Sequence, residues 1–166
     1  MRVAELDDLV ERLRDSYALL SEAGEKGILS TITANLAVGL YEQGRYEEAE
    51  EMSRVSEQAG QAEDLVTQVG WRAARAMAIA RRGELDAGEA LARDALTRAL
   101  GSEYAETKAE AYLSLGEVLR LAGRLEEARA ALESARAIFE TKGFELSADA
   151  ARAKLAELSG GALPAS

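Results

Sequence analysis

The chain has no cysteine and no histidine. That excludes disulfides, thiolate nucleophiles, Cys/His zinc sites, histidine-ligated haem and any Ser-His-Asp triad. A chain without cysteine carries no redox information, so it is compatible with the cytoplasmic location expected here without establishing it. Proline occurs once, at Pro164, and aromatic residues make up only 5%. An all-β fold, which needs β-branched and aromatic faces, is disfavoured. No apolar run is long enough to span a membrane, and Met1, Arg2 and Val3 lead straight into charged sequence, so no signal peptide is visible.

Alanine fills 34 of the 166 positions, hydrophobic residues 48% and charged residues 30%. This suits closely packed helices rather than a disordered chain. Acidic residues outnumber basic ones 30 to 20, a net charge of −10. Such a chain is a poor match for a phosphate backbone, so no nucleic acid partner is expected.

Three segments align without gaps: NLAVGLYEQGRYEEAEEM from Asn35, RAMAIARRGELDAGEALA from Arg75 and SLGEVLRLAGRLEEARAA from Ser114. They share a frame of small residue, glycine, Tyr or Leu, and small residue. The members are Ala37/Gly44/Tyr46/Ala49, Ala76/Gly83/Leu85/Gly88 and Gly116/Gly123/Leu125/Ala128. A helix-period segment precedes each anchor glycine, which at C′ would end that helix at positive φ. Acidic residues then crowd the start of a second helix (Glu47 and Glu48, Asp86, Glu126 and Glu127), where they complement its dipole. Each unit therefore reads as a helical hairpin that buries its apolar side only by stacking on a neighbour.

These residues resemble the tetratricopeptide repeat over roughly residues 30–142. Arg75 and Gly88 depart from the usual Leu and Ala of the motif, the proline after the second helix is missing, and the anchor glycines lie farther apart than its usual ~34 residues. The spacing implies longer helices or extended linkers. The fold class expected is an all-α, right-handed α-solenoid of about three full repeats, with an N-terminal half repeat and a C-terminal capping helix. The domain is assigned to residues 1–159, with 160–166 as a disordered tail. Residues 4–23 carry Leu6, Val10, Leu13, Tyr17 and Leu20 on one stripe, in the place of a second helix whose partner is missing. This suggests either a piece of a longer array or an unusual N-terminal cap. In the last helix Phe144, Ala148, Ala151, Leu155 and Leu158 form the inner stripe, and Glu145, Asp149, Arg152, Lys154 and Glu157 face away.

The residues offer little for chemistry. The runs at Glu47–Glu51 and at Glu126 and Glu127 read as solvated helix starts, since acid–base work needs a cleft and shifted pKa values. No metal, nucleotide or other cofactor site is expected, and no enzyme activity. Arg72, Arg75, Arg81 and Arg82 are read as paired with carboxylates, an anion contact being the alternative. Trp71 is read as packing between hairpins rather than as an interface anchor.

The resemblance implies a concave surface lined by the first helix of each repeat. Carried over position by position, the candidate partner-binding groove is Asn35, Val38, Tyr41, Glu42, Ala73, Met77, Ala80, Arg81, Glu110, Leu113, Ser114, Glu117 and Arg120. The Lys and Asn of family members that clamp a chaperone C-terminus are replaced by Ala34, Val38, Ala74, Glu110 and Ser114, so that role is disfavoured. A helix, or another part of the same polypeptide, suits the groove better. Substituting Tyr41→Ala together with Arg120→Glu is expected to abolish capture while sparing the fold. The repeat style, notably at Glu42–Glu50 and Leu119–Ala128, is similar to the C-terminal arrays of large bacterial signalling proteins, either class III nucleotide cyclases with an ATPase module or ATPase-type transcriptional regulators. The partner implied is a protein or peptide, with no membrane. A free-standing adapter or homo-oligomerisation scaffold is the alternative.

Overall fold

The computed structural model describes residues 3–160 as eight helices: α1 (Val3–Ala23), α2 (Lys26–Glu42), α3 (Tyr46–Ala59), α4 (Leu65–Arg81), α5 (Leu85–Leu100), α6 (Ala105–Leu121), α7 (Leu125–Lys142) and α8 (Glu145–Gly160). Residues 161–166 of the tail expected from position 160 lie outside the described residues, and Gly160 closes α8. No helix of the described residues is long and apolar enough to cross a membrane.

The three anchor glycines do what the frame requires. Gly44, Gly83 and Gly123 have φ of 76°, 96° and 75°. Each leaves the following amide free to reach back to the end of the preceding helix: Arg45 N to Leu40 O (2.9 Å), Glu84 N to Ile79 O (3.1 Å) and Arg124 N to Leu119 O (2.9 Å). These backward bonds satisfy carbonyls the helix cannot, and they turn the chain into α3, α5 and α7. The hairpins α2–α3, α4–α5 and α6–α7 stack so that α2, α4 and α6 are neighbours and each second helix also packs on the next first helix. The result is an all-α solenoid. The extra residues per repeat go into helix length, since α2, α4 and α6 each have 17 residues.

Small residues set the closeness of the hairpins. Ala37, Ala49, Ala76 and Ala128 are fully buried. A Cβ on Gly88 would stand 2.8 Å from the Ala76 carbonyl oxygen, which puts α4 and α5 almost in backbone contact. Trp71 is buried, with the guanidinium groups of Arg72 and Arg75 over its ring at 4.0 and 4.5 Å. Its burial supports the packing role.

The ends are tied to the repeats. Helix α1 packs on α2 through Val10, and Arg14 pairs with Glu48 of α3 at 2.7 Å. Helix α8 packs on α7 and buries Ala148, Ala151 and Leu158, while Phe144 stays partly open against the edge of Phe139. Val10 and Leu158 belong to the same apolar cluster as Leu36, Leu40, Met77 and Leu115. The first and last helices therefore share one core with the inner helices between them.

Candidate functional site

The concave side is built by the C-terminal halves of α2, α4 and α6, which the matching glycine bends hold in similar register. Tyr41 of α2 donates its hydroxyl to Glu117 Oε1 of α6 at 2.5 Å. From α4, Arg81 donates Nε to the Tyr41 oxygen at 3.1 Å and Nη2 to Glu117 Oε1 at 3.0 Å. Arg120 closes a two-pronged contact on Glu117, each nitrogen at 2.8 Å. One buried carboxylate thus links three successive hairpins.

Burial alone would raise the Glu117 carboxyl. The hydrogen bonds from Arg120 and Tyr41, together with the charges of Lys154 and Arg120, outweigh it and hold the group at about 2. Burial, then the hydrogen bond to Glu117, pushes the Tyr41 phenol well above its ordinary range. Glu117 is a saturated acceptor and Tyr41 a committed donor, so neither is poised to move a proton at neutral pH.

Beside this network lies a cavity of about 350 Å³. Its walls are mostly apolar: Val38 of α2, Met77 of α4, Leu113 of α6, and Leu6, Leu9 and Leu13 of α1. Asn35, Glu42, Glu110, Ser114 and Lys154 supply its polar atoms. Lys154 Nζ stands 3.3 Å from Glu42 Oε1, an ion pair that runs from α8 to α2. Ser114 is spent on the Ala73 carbonyl at 2.9 Å. Glu110 keeps an exposed side chain. Confinement between the walls, reinforced by the charge of Glu106 on the same helix, raises its carboxyl to about 7.

The expected groove residues fall into three sets. Asn35, Val38, Glu42, Glu110, Leu113, Ser114 and Met77 line the cavity. Tyr41, Arg81, Glu117 and Arg120 form the network beside it. Ala73 and Ala80 are buried between helices. Surface is available at Asn35, Val38, Glu42, Glu110 and Arg81, and in part at Leu113 and Arg120. Tyr41, at 4% exposure, is structural, so Tyr41→Ala with Arg120→Glu would break a buried link and is not a clean test of binding. All four arginines of the middle repeat are engaged: Arg72 with Asp94 (2.6 Å), Arg75 with Glu57 (2.8 Å), Arg81 with Glu117, and Arg82 with Glu50.

Sequence reasoning missed Leu6, Leu9, Leu13 and Lys154 as parts of the concave wall. Lys154 was expected to face away from the inner stripe, yet it is half-buried and turned to Glu42. Helical periodicity shows which residues of α8 share a face, but not that the stack curls far enough to bring that face near α2.

Residues 29–56 and 109–134 each match the tetratricopeptide repeat. The first segment covers most of α2 and α3, the second most of α6 and the start of α7. No curated protein matches the chain. Repeats of this kind suggest a protein–protein interaction module.

Proposed function

We propose that the chain is a non-catalytic docking module that engages a protein or peptide on its concave side. The observation that carries this reading is the apolar cavity, which leaves Val38 exposed and Leu113 half-exposed inside a rim of mixed charge. Exposed apolar surface with a polar rim is characteristic of interaction sites. The contact surface comprises Asn35, Val38, Glu42, Arg81, Leu113 and Arg120. The stretches at Glu42–Glu50 and Leu119–Ala128 favour an arm of a larger bacterial signalling or regulatory protein. The absence of proton-transfer chemistry at Glu117 and Tyr41 favours a role without catalysis.

A photo-crosslinking side chain at position 38, compared with one at the outward-facing Glu133, tests the reading in the source cell. Adducts from position 38 are expected. Adducts from position 133 alone would move the docking surface to the convex side.

A second reading, self-association, is favoured by one feature. Ile28, Val66, Tyr104 and Leu146 are all exposed; Ile28, Val66 and Leu146 sit in the first turn of α2, α4 and α8, and Tyr104 caps α6. Sedimentation over a range of concentrations decides it. A concentration-independent monomer would remove this alternative.

A further inference from the structure

The other carboxylate lining the cavity and the one in the network beside it are matched. Glu117 is held by Arg81 and Arg120, and Glu42 by Lys154. Glu110 lines the same cavity without a hydrogen-bonded or ionic partner among the described residues. The charged lining residues are therefore Glu42, Glu110 and Lys154, which sum to one net negative charge once the pH exceeds the raised Glu110 value of about 7. Their surroundings are the side chains of Leu6, Leu13, Val38, Met77 and Leu113, contributed by four different helices. A carboxylate beside a largely apolar chamber is complementary to one kind of guest: an apolar body that carries a single positive charge.

Size narrows the guest further. About 350 Å³ lies at the small-molecule end of ligand cavities. Helix α1 forms one wall of the chamber, and the Glu42–Lys154 pair connects α2 to α8 beside it. The concave side thus holds a half-open chamber walled by α1, α2, α4 and α6.

We propose that this chamber is a binding site for a small organic cation, an aliphatic amine of roughly six to ten carbons, with its ammonium on Glu110 and its chain among the leucines, Val38 and Met77. The site shares Asn35, Val38, Glu42 and Leu113 with the docking surface proposed above. It uses the inside of the chamber, and its occupancy is read without any protein partner, so the two proposals fail independently.

The probe is n-octylamine, titrated at about pH 8.5, where Glu110 is ionised and the amine still protonated, below its micellar concentration into the full chain and followed by calorimetry, with 1-octanol and octanoate as the neutral and anionic controls. The ammonium compound is expected to bind saturably, and octanoate more weakly than octanol. Glu110→Gln should reduce octylamine affinity about five- to tenfold while leaving octanol binding unchanged. Leu113→Trp, which fills the chamber, should reduce both, with helical content monitored to confirm folding. If Leu113→Trp does not fold, Val38→Trp serves the same purpose from α2. Octylamine that binds no more tightly than octanol, or as well to Glu110→Gln as to the unaltered chain, would overturn the assignment. So would the absence of saturable binding by either compound.

Discussion

Tyr41 and Glu117 lie 76 positions apart in sequence and meet at 2.5 Å. The contact skips a whole hairpin, because Tyr41 belongs to the first repeat and Glu117 to the third. It is possible because Arg81, from the repeat between them, donates to both oxygens. Nearest-neighbour stacking is the usual logic of a solenoid. Here a buried polar link adds coupling between non-adjacent units.

Removing only the phenolic oxygen tests that coupling. Tyr41→Phe keeps the ring against Tyr46, whose centroid is 5.4 Å away, but leaves Glu117 and Arg81 each short of one partner. A loss of about 1–2 kcal/mol is expected, read as a drop in Tm of roughly 2–8 °C by differential scanning calorimetry. Tm within a degree of the unaltered chain would show that the contact is not made in solution.

Acid should act through the same carboxylate. Glu117 is held at about 2, below its ordinary 4.5, so its contribution is present above 4.5 and lost as pH falls toward 2. The shift corresponds to on the order of 3 kcal/mol. Glu117→Gln should therefore flatten the acid limb of a stability-against-pH curve from chemical denaturation. An acid limb of unchanged steepness in the variant would contradict the pairing.

Glu110 should behave in the opposite sense. Its carboxyl is raised to about 7 in the folded chain, so its contribution to stability falls as pH rises from the ordinary 4.5 through 7. The groups that bear on it are Glu106 on its own helix and, across the cavity, Glu42 and Lys154. Its side chain is open to solvent, which limits the effect to under about 1 kcal/mol. Glu110→Gln should raise Tm slightly at pH 8 and leave it unchanged at pH 5. An equal effect at both values would mean that the carboxyl titrates normally.

Two glycines in matched surroundings should respond differently to alanine. At Gly88 a new Cβ meets the Ala76 carbonyl at 2.8 Å, and backbone cannot step aside. At Gly116 it meets Cγ and Cδ2 of the buried Leu132 at 2.8 and 2.9 Å, with the Ala128 carbonyl oxygen farther off at 3.4 Å, so the clash is with a side chain rather than with backbone. Alanine in mid-helix gains up to about 1 kcal/mol over glycine. Gly116→Ala should lose less than Gly88→Ala, for which a net loss of about 1–3 kcal/mol is expected, both read from denaturation midpoints. Equal effects would remove the close approach of α4 and α5.

The hairpins were legible in the sequence because their causes are local. A glycine followed by a polar residue, an apolar residue and a cluster of acids determines where one helix ends and the next begins, and the frame repeats. The apolar stripes of α1 and α8 were legible for the same reason. The concave wall was only half legible. Position by position, the repeat frame identified Asn35, Val38, Glu42 and Leu113 as lining. It did not reveal that Tyr41 would be buried, that Lys154 would turn inward, or that α1 would wall the cavity. Those facts depend on curvature accumulated over three hairpins, each step set by how closely particular alanines and glycines pack.

Carbodiimide coupling of Lys154 tests that curvature most directly. The reagent joins an amine to a carboxylate only where the two touch, and Lys154 Nζ lies 3.3 Å from Glu42 Oε1. Mass spectrometry of the digested monomer should yield a peptide pair linked between Lys154 of α8 and Glu42 of α2. Lys154 joined only to carboxylates of its own helix, such as Glu157, would show that the two ends of the stack stay apart and that the concave chamber does not close.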